Sequence, residues 1–390
     1  MEKQNNIPKL RFSEFSDSWG KKKFEDFTIL SAFGPRFSSD LYSSSGNVVT
    51  LRTTDMDEDG IIDYTNAPKA IVDIEQLKEH ILLEDDVIIS RSGTIGITGV
   101  YKKYELPVIP GAFLIRFRLD LTKVSPKFIQ LFLNGKKGRN QLEALSAGGV
   151  QKNLTGTSVL GMTLKLPILP EQQKIATFLR NIDEKLQALK KKKSLLETYK
   201  KGVMQKLFSQ QMRFKDEDGN DFEDWELKKL GEIAKITTGS SNREDSNLDG
   251  EFTFFDRSQD IRSSNRFLFD AEAIIVPGEG QEFIPKYFKG KFDLHQRTYA
   301  IMDFKNVNGI LLFYSISFNT NHLNSHAVGS TVKSLRLPMF ETMPITLPSL
   351  PEQTKIANFL TAIDGKINKV DAQIKQTELW KKGLLQQMFV

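Results

Sequence analysis

The chain repeats itself, and this duplication constrains the fold more than any other feature of the sequence. Residues 166–186 and 347–367, compared at an offset of 181, are identical at 14 of 21 positions. Both carry the pattern LPxLPEQxKIAxFL and are followed by Lys-Lys-Gly. The two halves also open alike, each with an Arg-Phe pair ahead of a tryptophan, Trp19 or Trp225. Each half is therefore predicted to be a divergent insert between similar ends, and the first insert is 25 residues longer.

Composition limits the class of protein. Of the 390 residues, 39% are hydrophobic and 26% charged, which excludes a disordered or fibrous chain. The absence of cysteine excludes disulfides, thiolate metal sites and thiol nucleophiles. No apolar run approaches the roughly 18 residues of a membrane span, and the polar start does not resemble a signal peptide. We therefore expect a cytoplasmic protein without a membrane partner.

The duplicated segments are predicted to begin long helices. Pro170 and Pro351 suit the first helical turn, and the glutamates that follow them place negative charge at the positive end of the helix dipole. Apolar residues then recur in the heptad positions of a coiled-coil seam, over about 40 residues or roughly 60 Å. The seam residues are Ile175, Leu179, Ile182, Leu186, Leu189, Leu196 and Val203 in the first helix, and Ile356, Leu360, Ile363, Ile367, Val370, Ile374 and Leu384 in the second.

Because both helices carry the same seam, we predict that they pair with each other as a coiled coil. Two tandem copies related by a pseudo-twofold axis would place the helices antiparallel. The alternative is that each helix docks separately on its own domain.

The inserts are predicted to be mixed α/β domains with many short strands, because β-branched and aromatic runs alternate with Gly and Asp. The fold class is therefore α+β, with tandem α/β domains at 1–165 and 210–346. The helical segments 166–209 and 347–390 follow them. A weak likeness aligns Arg52 with Arg257 and indicates one fold with two different surfaces.

The surplus of positive charge does not lie on the inserts. The net charge of the chain is +5, residues 170–208 contribute +6 and residues 351–389 contribute +2, so the remainder is −3. Any binding of nucleic acid by the inserts must therefore depend on local clusters of basic residues.

Patterns that suggest catalysis or metal binding fail on inspection. The acidic stretch Asp55–Gly60 opens like a calcium loop but has Asn66 where a bidentate Glu is required, so we predict an acidic turn. His322 and His326 have metal-pair spacing without further ligands. Asp183 and Asp364 each precede a lysine by two positions, which suits surface ion pairing. No phosphate-binding or dinucleotide-binding loop is present. The sequence predicts a binding and assembly protein with no catalytic residue and no metal site.

The doubled LPxLPEQ helices, the trailing Lys-Lys-Gly, the Arg-Phe…Trp openings and the segment Ile88–Gly96 resemble the specificity subunits of type I restriction-modification systems. The resemblance covers the whole chain. It implies that each insert is a target recognition domain for one half of a bipartite, asymmetric DNA site. It also implies that the helices form an antiparallel coiled coil that sets the spacing between the two domains.

The resemblance further implies the partners: double-stranded DNA, two modification (methyltransferase) subunits and restriction (translocase and nuclease) subunits. S-adenosylmethionine would belong to the modification subunits, and ATP and magnesium to the restriction subunits, so this chain would bind no cofactor. Three alternatives stay open: a nuclease or methyltransferase in its own right, a non-catalytic coiled-coil scaffold, and a partial specificity subunit without an active restriction partner.

Candidate DNA-contacting residues are chosen by their chemistry. Arg pairs with guanine edges and Gln or Asn with adenine edges in the major groove, while Lys, Ser and Thr bind phosphates. The candidates are Arg52, Arg91, Ser92, Thr94, Lys152 and Asn153 in the first domain, and Arg257, Gln281, Gln296, Arg297, Lys333 and Ser334 in the second. Because Pro and Gly follow the second copy's Ile-Ile-Val, we do not expect a contact equivalent to Arg91 there.

Overall fold

The computed structural model describes residues 7–36, 38–146 and 153–390. The chain forms two compact units. Unit 1 combines the first insert, up to Leu189, with Gln373–Val390, and unit 2 is Lys190–Ala372. Each unit therefore contains one insert and a part of both long helices. In the described part of the chain, no helix combines the length and apolar character that crossing a membrane requires.

The first copy runs from a short β-ribbon strand to a long helix. Its elements are β1 (Gly20–Lys23), β2 (Thr28–Phe33), β3 (Val48–Leu51), β4 (Lys69–Ala70), α1 (Ile74–Leu77), β5 (Val87–Ser90), β6 (Thr98–Val100), β7 (Val108–Pro110), β8 (Leu114–Leu119), α2 (Pro126–Asn134), α3 (Lys136–Leu145), α4 (Gly156–Leu160), β9 (Thr163–Leu166) and α5 (Leu169–Phe208).

The second copy follows the same order. Its elements are β10 (Glu226–Lys229), α6 (Leu230–Ile233), β11 (Lys235–Thr238), β12 (Phe252–Phe255), β13 (Arg262–Ser264), β14 (Phe269–Pro277), β15 (Glu279–Gly280), β16 (Lys286–Leu294), β17 (Thr298–Met302), α7 (Gly309–Phe318), α8 (Thr320–His326), β18 (Lys333–Ser334), α9 (Leu337–Glu341), β19 (Pro344–Leu347) and α10 (Leu350–Met388).

The two inserts have one sheet topology. Unit 2 contains a six-stranded sheet in the order β11-β17-β14-β16-β12-β13, in which β12 runs parallel to β16. Unit 1 contains the sheets β2-β8-β5-β6 and β4-β3-β7, in which β3 runs parallel to β7. The long strand β16 thus occupies the place of β6 and β7 together, and the first insert interrupts it over residues 101–107. The α+β class and the expectation of one fold in both inserts are confirmed.

Backbone hydrogen bonds align the two inserts residue by residue at the start of β8 and β17. The Gly111 N–H donates to the Leu51 carbonyl (2.8 Å), as the His295 N–H donates to the Phe255 carbonyl (2.9 Å). The turns Gly111–Leu114 and His295–Thr298 are then closed by the same bond between their first and last residues. We call them the β7–β8 turn and the β16–β17 turn.

This equivalence corrects one sequence alignment. Because Leu51 corresponds to Phe255, Arg52 corresponds to Asp256, and its predicted alignment with Arg257 was wrong by one position. The same equivalence shows where most of the extra residues of the first insert lie. Leu51 and Gly111 are 60 positions apart, whereas Phe255 and His295 are 40 apart, so 20 of the 25 extra residues lie there.

A side-chain clamp closes each copy on its long helix. Glu171 is fully buried and accepts hydrogen bonds from Arg11 Nε (2.8 Å), Arg11 Nη2 (2.7 Å) and the Trp19 indole (3.3 Å). Glu352 is equally buried and accepts from Arg213 Nη2 (2.8 Å) and the Trp225 indole (3.1 Å). The opening Arg…Trp and the distant LPxLPEQ motif are therefore duplicated together because they form one ion-paired cluster. This contact explains the glutamate better than the helix dipole does.

The glutamine of the same motif anchors the helix that follows the sheet. Gln172 Oε1 accepts from the Ser125 backbone N–H (3.0 Å) at the start of α2, and Gln353 Oε1 accepts from the Asn308 N–H (2.8 Å) at the start of α7. Each glutamine also donates to a proline carbonyl of its own motif. The Glu-Gln pair is thus a structural joint between insert and helix.

The long helices pair antiparallel in each unit. In unit 1 the first half of α5 lies beside the end of α10, and in unit 2 the second half of α5 lies beside the beginning of α10. As α5 advances, its partners in α10 recede by equal steps, in the contacts Asp183–Lys381, Lys193–Asp371 and Lys200–Asp364. The predicted antiparallel pairing is confirmed.

Most of the predicted seam is buried. The buried members are Ile175, Leu179, Ile182, Leu186, Val203, Ile356, Leu360, Ile363, Val370, Ile374 and Leu384, whereas Leu189, Leu196 and Ile367 are half-buried. The heptad positions that lacked an apolar residue hold Lys193, Lys200, Thr377 and Lys381. The seam is therefore apolar with polar interruptions, and three of the four interruptions are lysines paired across the helices.

Two of these lysines also connect the helices to the inserts. Lys381 is 9% exposed and binds both Asp183 (2.9 Å) and Asp59 in the acidic turn of the first insert (2.9 Å). Its pKa is raised, because hydrogen bonds to the two carboxylates outweigh the opposing effect of burial. We call this cluster the unit 1 node.

The unit 2 node has the same helix residues at an offset of 181. Lys200 binds Asp364 (2.6 Å), and the Tyr314 hydroxyl on α7 donates to the same carboxylate (2.6 Å). Burial and this hydrogen bond both raise the pKa of Tyr314, so it remains a donor at neutral pH. Asp183 and Asp364, predicted to form surface ion pairs, thus bind the partner helix at partly buried positions.

Candidate functional site

The first insert gathers several of its candidate residues at one end of the β5–β8 sheet. The Arg91 guanidinium lies 4.4 Å from the centre of the Phe33 ring, and its Nε donates to Asn153 Oδ1 (3.3 Å). The Arg91 backbone N–H donates to the carbonyl of Phe113 (3.0 Å), the third residue of the β7–β8 turn. Arg91 and Asn153, which are 62 positions apart, therefore belong to one surface.

Arg52 lies beside this surface at the end of β3. Its guanidinium donates to Asp55 Oδ1 (2.7 Å) and to the Asn66 carbonyl (2.7 Å), which fixes its direction. Because Asp55 is buried and Arg52 is about half exposed, the ion pair stabilises the 3-10 turn that ends β3 and leaves one edge of the guanidinium toward solvent.

A cleft of about 490 Å³ is lined by the end of β3 and by the β7–β8 turn. Its wall includes Arg52 and two residues that were not among the candidates, Arg36 and Tyr42. Phe113 also lines it and is 59% exposed, a large value for an aromatic ring. The cleft thus combines exposed rings with guanidinium groups, a combination suited to stacking on or packing against nucleic-acid bases.

Two of the remaining candidates of the first insert, Ser92 and Thr94, follow Arg91 directly. Ser92 is half-buried and Thr94 is exposed, in the turn after β5 that the Ser90 hydroxyl closes by donating to the Thr94 carbonyl (2.6 Å). Lys152 lies outside the described residues, so its place is not assigned.

The second insert gathers its candidates around one carboxylate. Glu279 accepts hydrogen bonds from the guanidinium groups of both Arg257 (2.7 Å) and Arg297. Its pKa is lowered, because burial, which opposes the shift, is outweighed by the hydrogen bonds and charges of the two arginines. With two arginines to one carboxylate, the cluster keeps an excess of positive charge and a fixed direction for both guanidinium groups.

Three further candidates border this cluster. Lys333 and Ser334 form β18, which pairs antiparallel with Glu279–Gly280 in β15. Gln281 follows β15 and donates to the Thr331 carbonyl (3.2 Å). The structure therefore brings Gln281, Lys333 and Ser334 to the two arginines, although 50 residues separate these segments.

The β16–β17 turn completes the second surface. Gln296 and Arg297 are exposed, and the Gln296 amide donates to Asn242 Oδ1 (2.6 Å). His295 is buried at the start of the turn, and its Nδ1 accepts the Arg297 backbone N–H (3.0 Å). Burial and, next, the charge of Arg257 lower the pKa of His295, so it stays neutral and keeps this acceptor at pH 7.

The two surfaces occupy the same place in their inserts. Arg91 and Gly278 correspond, because the Gly278 N–H donates to the Arg297 carbonyl (2.9 Å) as the Arg91 N–H does to Phe113. Their own carbonyls accept from Leu154 (3.0 Å) and Leu335 (2.8 Å) respectively. A glycine thus stands where the first insert has Arg91, one position beyond Pro277, which the sequence comparison had placed there.

Sequence reasoning missed Arg36, Tyr42, Phe113 and Glu279. Among these four residues only Phe113 had a local sequence signal, because it stands in a turn directly before a strand, where side chains are commonly exposed. The convergence of two distant arginines on Glu279 depends on strand order, which single segments do not reveal.

The patterns set aside earlier have structural roles. Asp57 Oδ1 accepts the N–H groups of Asp59 (3.0 Å) and Ile61 (2.8 Å), so the acidic stretch is a turn, as predicted. The rings of His322 and His326 stack at 4.1 Å, and His326 Nδ1 contacts the His322 carbonyl. Across residues 7–36, 38–146 and 153–390, no group of three or more His, Cys, Asp or Glu could hold a metal ion.

Comparison with known sequences identifies the same two copies. A family model described as the type I restriction modification DNA specificity domain matches residues 16–198 and 222–377. The EcoDI specificity subunit of a type I restriction enzyme from Escherichia coli is 30% identical over 153 residues, which are 39% of this chain and about a third (34%) of that protein. The putative MjaX specificity subunit from Methanocaldococcus jannaschii is 25% identical over 409 residues, covering 98% of this chain and 95% of that one.

Solved structures share the fold at low sequence identity. The S subunit of a type I restriction-modification system from M. genitalium superposes with a TM-score of 0.68 at 15% identity, covering 98% of this chain and 99% of that one. A chain from a structural study of complex assembly and conformational transition in the type I system gives a TM-score of 0.55 at 15% identity, with 95% and 97% covered.

Proposed function

Because the chain belongs to the family of type I restriction-modification DNA specificity proteins, we propose that it recognises a bipartite, asymmetric DNA site, one half-site per insert. The observation that carries this proposal is the pair of equivalent surfaces. The same end of the same sheet presents Arg52, Arg91 and Phe113 in one insert and Arg257, Gln296 and Arg297 in the other. Equivalent surfaces with different hydrogen-bonding groups suit two different sequences.

The antiparallel helices would set the distance between the half-sites. Half-sites contacted from one face of DNA lie about one helical turn, roughly 34–36 Å, apart. The two nodes support this role, because each joins a helix pair to its own insert. In unit 1, Lys381 binds Asp59 of the insert. In unit 2, Asp364 binds both Lys200 of the other helix and Tyr314 of the insert. Lengthening the seam by whole heptads in both helices should change the unspecified spacer and leave the half-site bases alone.

We expect this chain to act without catalysis of its own. In the proposed complex, two modification subunits dock on it and supply adenine methylation with S-adenosylmethionine. Restriction subunits, with ATP and magnesium, add cleavage and translocation. The inserts carry no excess of positive charge, so the chain alone should bind DNA weakly and a complete complex should bind tightly.

The alternative is a coiled-coil scaffold, or a partial specificity subunit without an active restriction partner. The observation that favours it is that many side chains connect the inserts to the long helices, as in the clamps around Glu171 and Glu352. A scaffold without a recognition role would assemble with a modification subunit but leave the methylation pattern of the genome without a sequence motif.

Single-molecule sequencing of methylated adenines tests the proposal. A strain that carries this chain with its modification subunit should gain one two-part motif that is absent from a strain lacking the chain. If purified chain alone methylates or cleaves DNA, or if no motif appears when the complex forms, the proposed function is wrong.

A further inference from the structure

The two inserts differ in chemistry at the β7–β8 and β16–β17 turns although the backbones of these turns agree. Each turn is held by the same three main-chain hydrogen bonds. The first presents Ala112 and Phe113, and the second presents Gln296 and Arg297 at the same positions. A turn fixed by its backbone can change its side chains without changing its direction.

The guanidinium group of Arg297 is held in one orientation by its contacts. Glu279 binds its Nη1, His295 accepts its backbone N–H, and the side chain remains exposed. In the described structure no protein acceptor is assigned to its Nε or Nη2. An arginine that is oriented by a carboxylate and keeps two free donors matches the O6 and N7 acceptors on the major-groove edge of guanine.

Phe113 has no polar atom, so it cannot form a hydrogen bond with any base. On the major-groove edge of DNA, the thymine C5-methyl group is the apolar feature that a phenylalanine can contact. Arg36 and Arg52 line the same cleft, which makes its wall basic beside the ring. A ring that is 59% exposed at the rim of a cleft would be covered by such a contact.

The other arginine candidates are less exposed than Arg297, whose side chain is 59% exposed against 47% for Arg52 and Arg257. Arg52 donates to Asp55 and to a backbone carbonyl, and Arg91 is half-buried on the Phe33 ring. The contacts of Arg52 and Arg91 therefore stabilise the surface itself, and the side chains of the turn are the more exposed groups.

We propose that these two turns determine base specificity, with Phe113 contacting a thymine methyl in the half-site of the first insert and Arg297 contacting a guanine in that of the second. This inference rests on the proposed function and adds to it the type of base and the residue that recognises it. Half-site 1 therefore contains an A·T pair at the contacted position, and half-site 2 a G·C pair.

Base analogues in the mapped site test both contacts with the wild-type complex. Replacing each thymine in turn by deoxyuracil removes only the methyl group and should weaken binding about fourfold at one position of half-site 1. Replacing each guanine by 7-deazaguanine should weaken binding about fivefold or more at one position of half-site 2. If no uracil substitution in half-site 1 or no deazaguanine substitution in half-site 2 has an effect, the corresponding contact is wrong.

Variants assign the effects to residues. In Phe113→Ala the uracil effect should disappear while the deazaguanine effect persists, and Arg297→Met should show the reverse. Leu121→Ala and Lys289→Met, exposed positions of the same inserts, serve as controls that should keep both effects. An analogue effect that persists in the matching variant overturns the residue assignment.

The outcome separates this inference from the proposed function. A wild-type complex without sequence preference overturns both. A complex that recognises a two-part motif, but whose preferences survive both variants, overturns only the role of the turns.

Discussion

The clamps and the turns differ in what holds them together. Each clamp consists of side chains, with a buried glutamate bound by an arginine and a tryptophan, and these residues recur in both copies. The two turns share three main-chain hydrogen bonds, and their side chains differ between the copies. Parts held by side chains must keep their residues, whereas parts held by the backbone can vary. A duplicated protein can therefore keep one frame and present two surfaces.

The largest expected effect is on the clamps. Glu171→Ala leaves Arg11 and the Trp19 indole without their buried acceptor, so the free energy of unfolding should fall by about 3–5 kcal/mol. Glu352→Ala should cost a similar amount, because the second clamp has the same contacts. Chemical denaturation of the full chain measures both. Glu184→Ala, an exposed position on α5, is the matched control, and an equal loss there would contradict the argument.

The nodes should show a smaller effect that distinguishes the two units. Lys381→Met leaves Asp183 without its cation, and about 1–3 kcal/mol of stability should be lost. Lys200→Met should lose less, because Lys200 is more exposed and Asp364 keeps the Tyr314 hydroxyl. The exchange of charges in Asp183→Lys with Lys381→Asp should recover part of the loss in a double-mutant cycle. No coupling in that cycle would show that the pair does not stabilise the helices.

Changing the turns should alter specificity with little effect on stability. Ala112→Gln with Phe113→Arg gives the first insert the residues of the second at a half-buried and an exposed position. The free energy of unfolding should stay within about 0.5 kcal/mol of the wild type. A loss as large as that of a clamp variant would mean that the turn is part of the frame.

The smallest effect concerns pH and only the second insert. The pKa of His295 is lowered, chiefly by burial and then by Arg257, with Arg297 acting in the same direction and Asp256 and Glu279 opposing. Below a pH of about 6.5 the histidine is protonated in the unfolded chain but still neutral in the folded protein. The free energy of unfolding therefore falls as pH decreases, until the histidine is protonated in the folded protein as well. NMR titration should give a midpoint below 6.5. The first insert has Gly111 at this position, so preference for its half-site should not change over that range; an equal change in both halves would contradict this role.

The sequence predicted what depends on local pattern. The heptad spacing of residues such as Ile175 and Leu179 and the repeated LPxLPEQ motif were sufficient for the helices, their pairing and the tandem inserts. The lysines of the seam were missed, because Lys200 and Lys381 interrupt an apolar pattern and their partners lie on another helix. Nor could local pattern show that Glu171 is buried against Arg11, which is 160 positions away.

The candidate site was predictable in composition but not in arrangement. Chemistry alone selected Arg257 and Arg297, yet only the strand order brings both to Glu279. The alignment of Arg52 with Arg257 failed by one position because it matched identical residue types, whereas the strand pairing matches Leu51 with Phe255 and therefore Arg52 with Asp256. Phe113 was overlooked because apolar residues are expected in the core, and its exposure is visible only in the folded chain.

The most direct test of the account is a methylated-adenine map from a strain in which this chain carries Ala112→Gln and Phe113→Arg. We expect a two-part motif with the wild-type spacer and the wild-type second half-site, and with a changed base, toward guanine, at one position of the first half-site. A folded variant whose motif is unchanged, or whose motif changes in both halves, would contradict the claim that each insert recognises its own half-site through this turn.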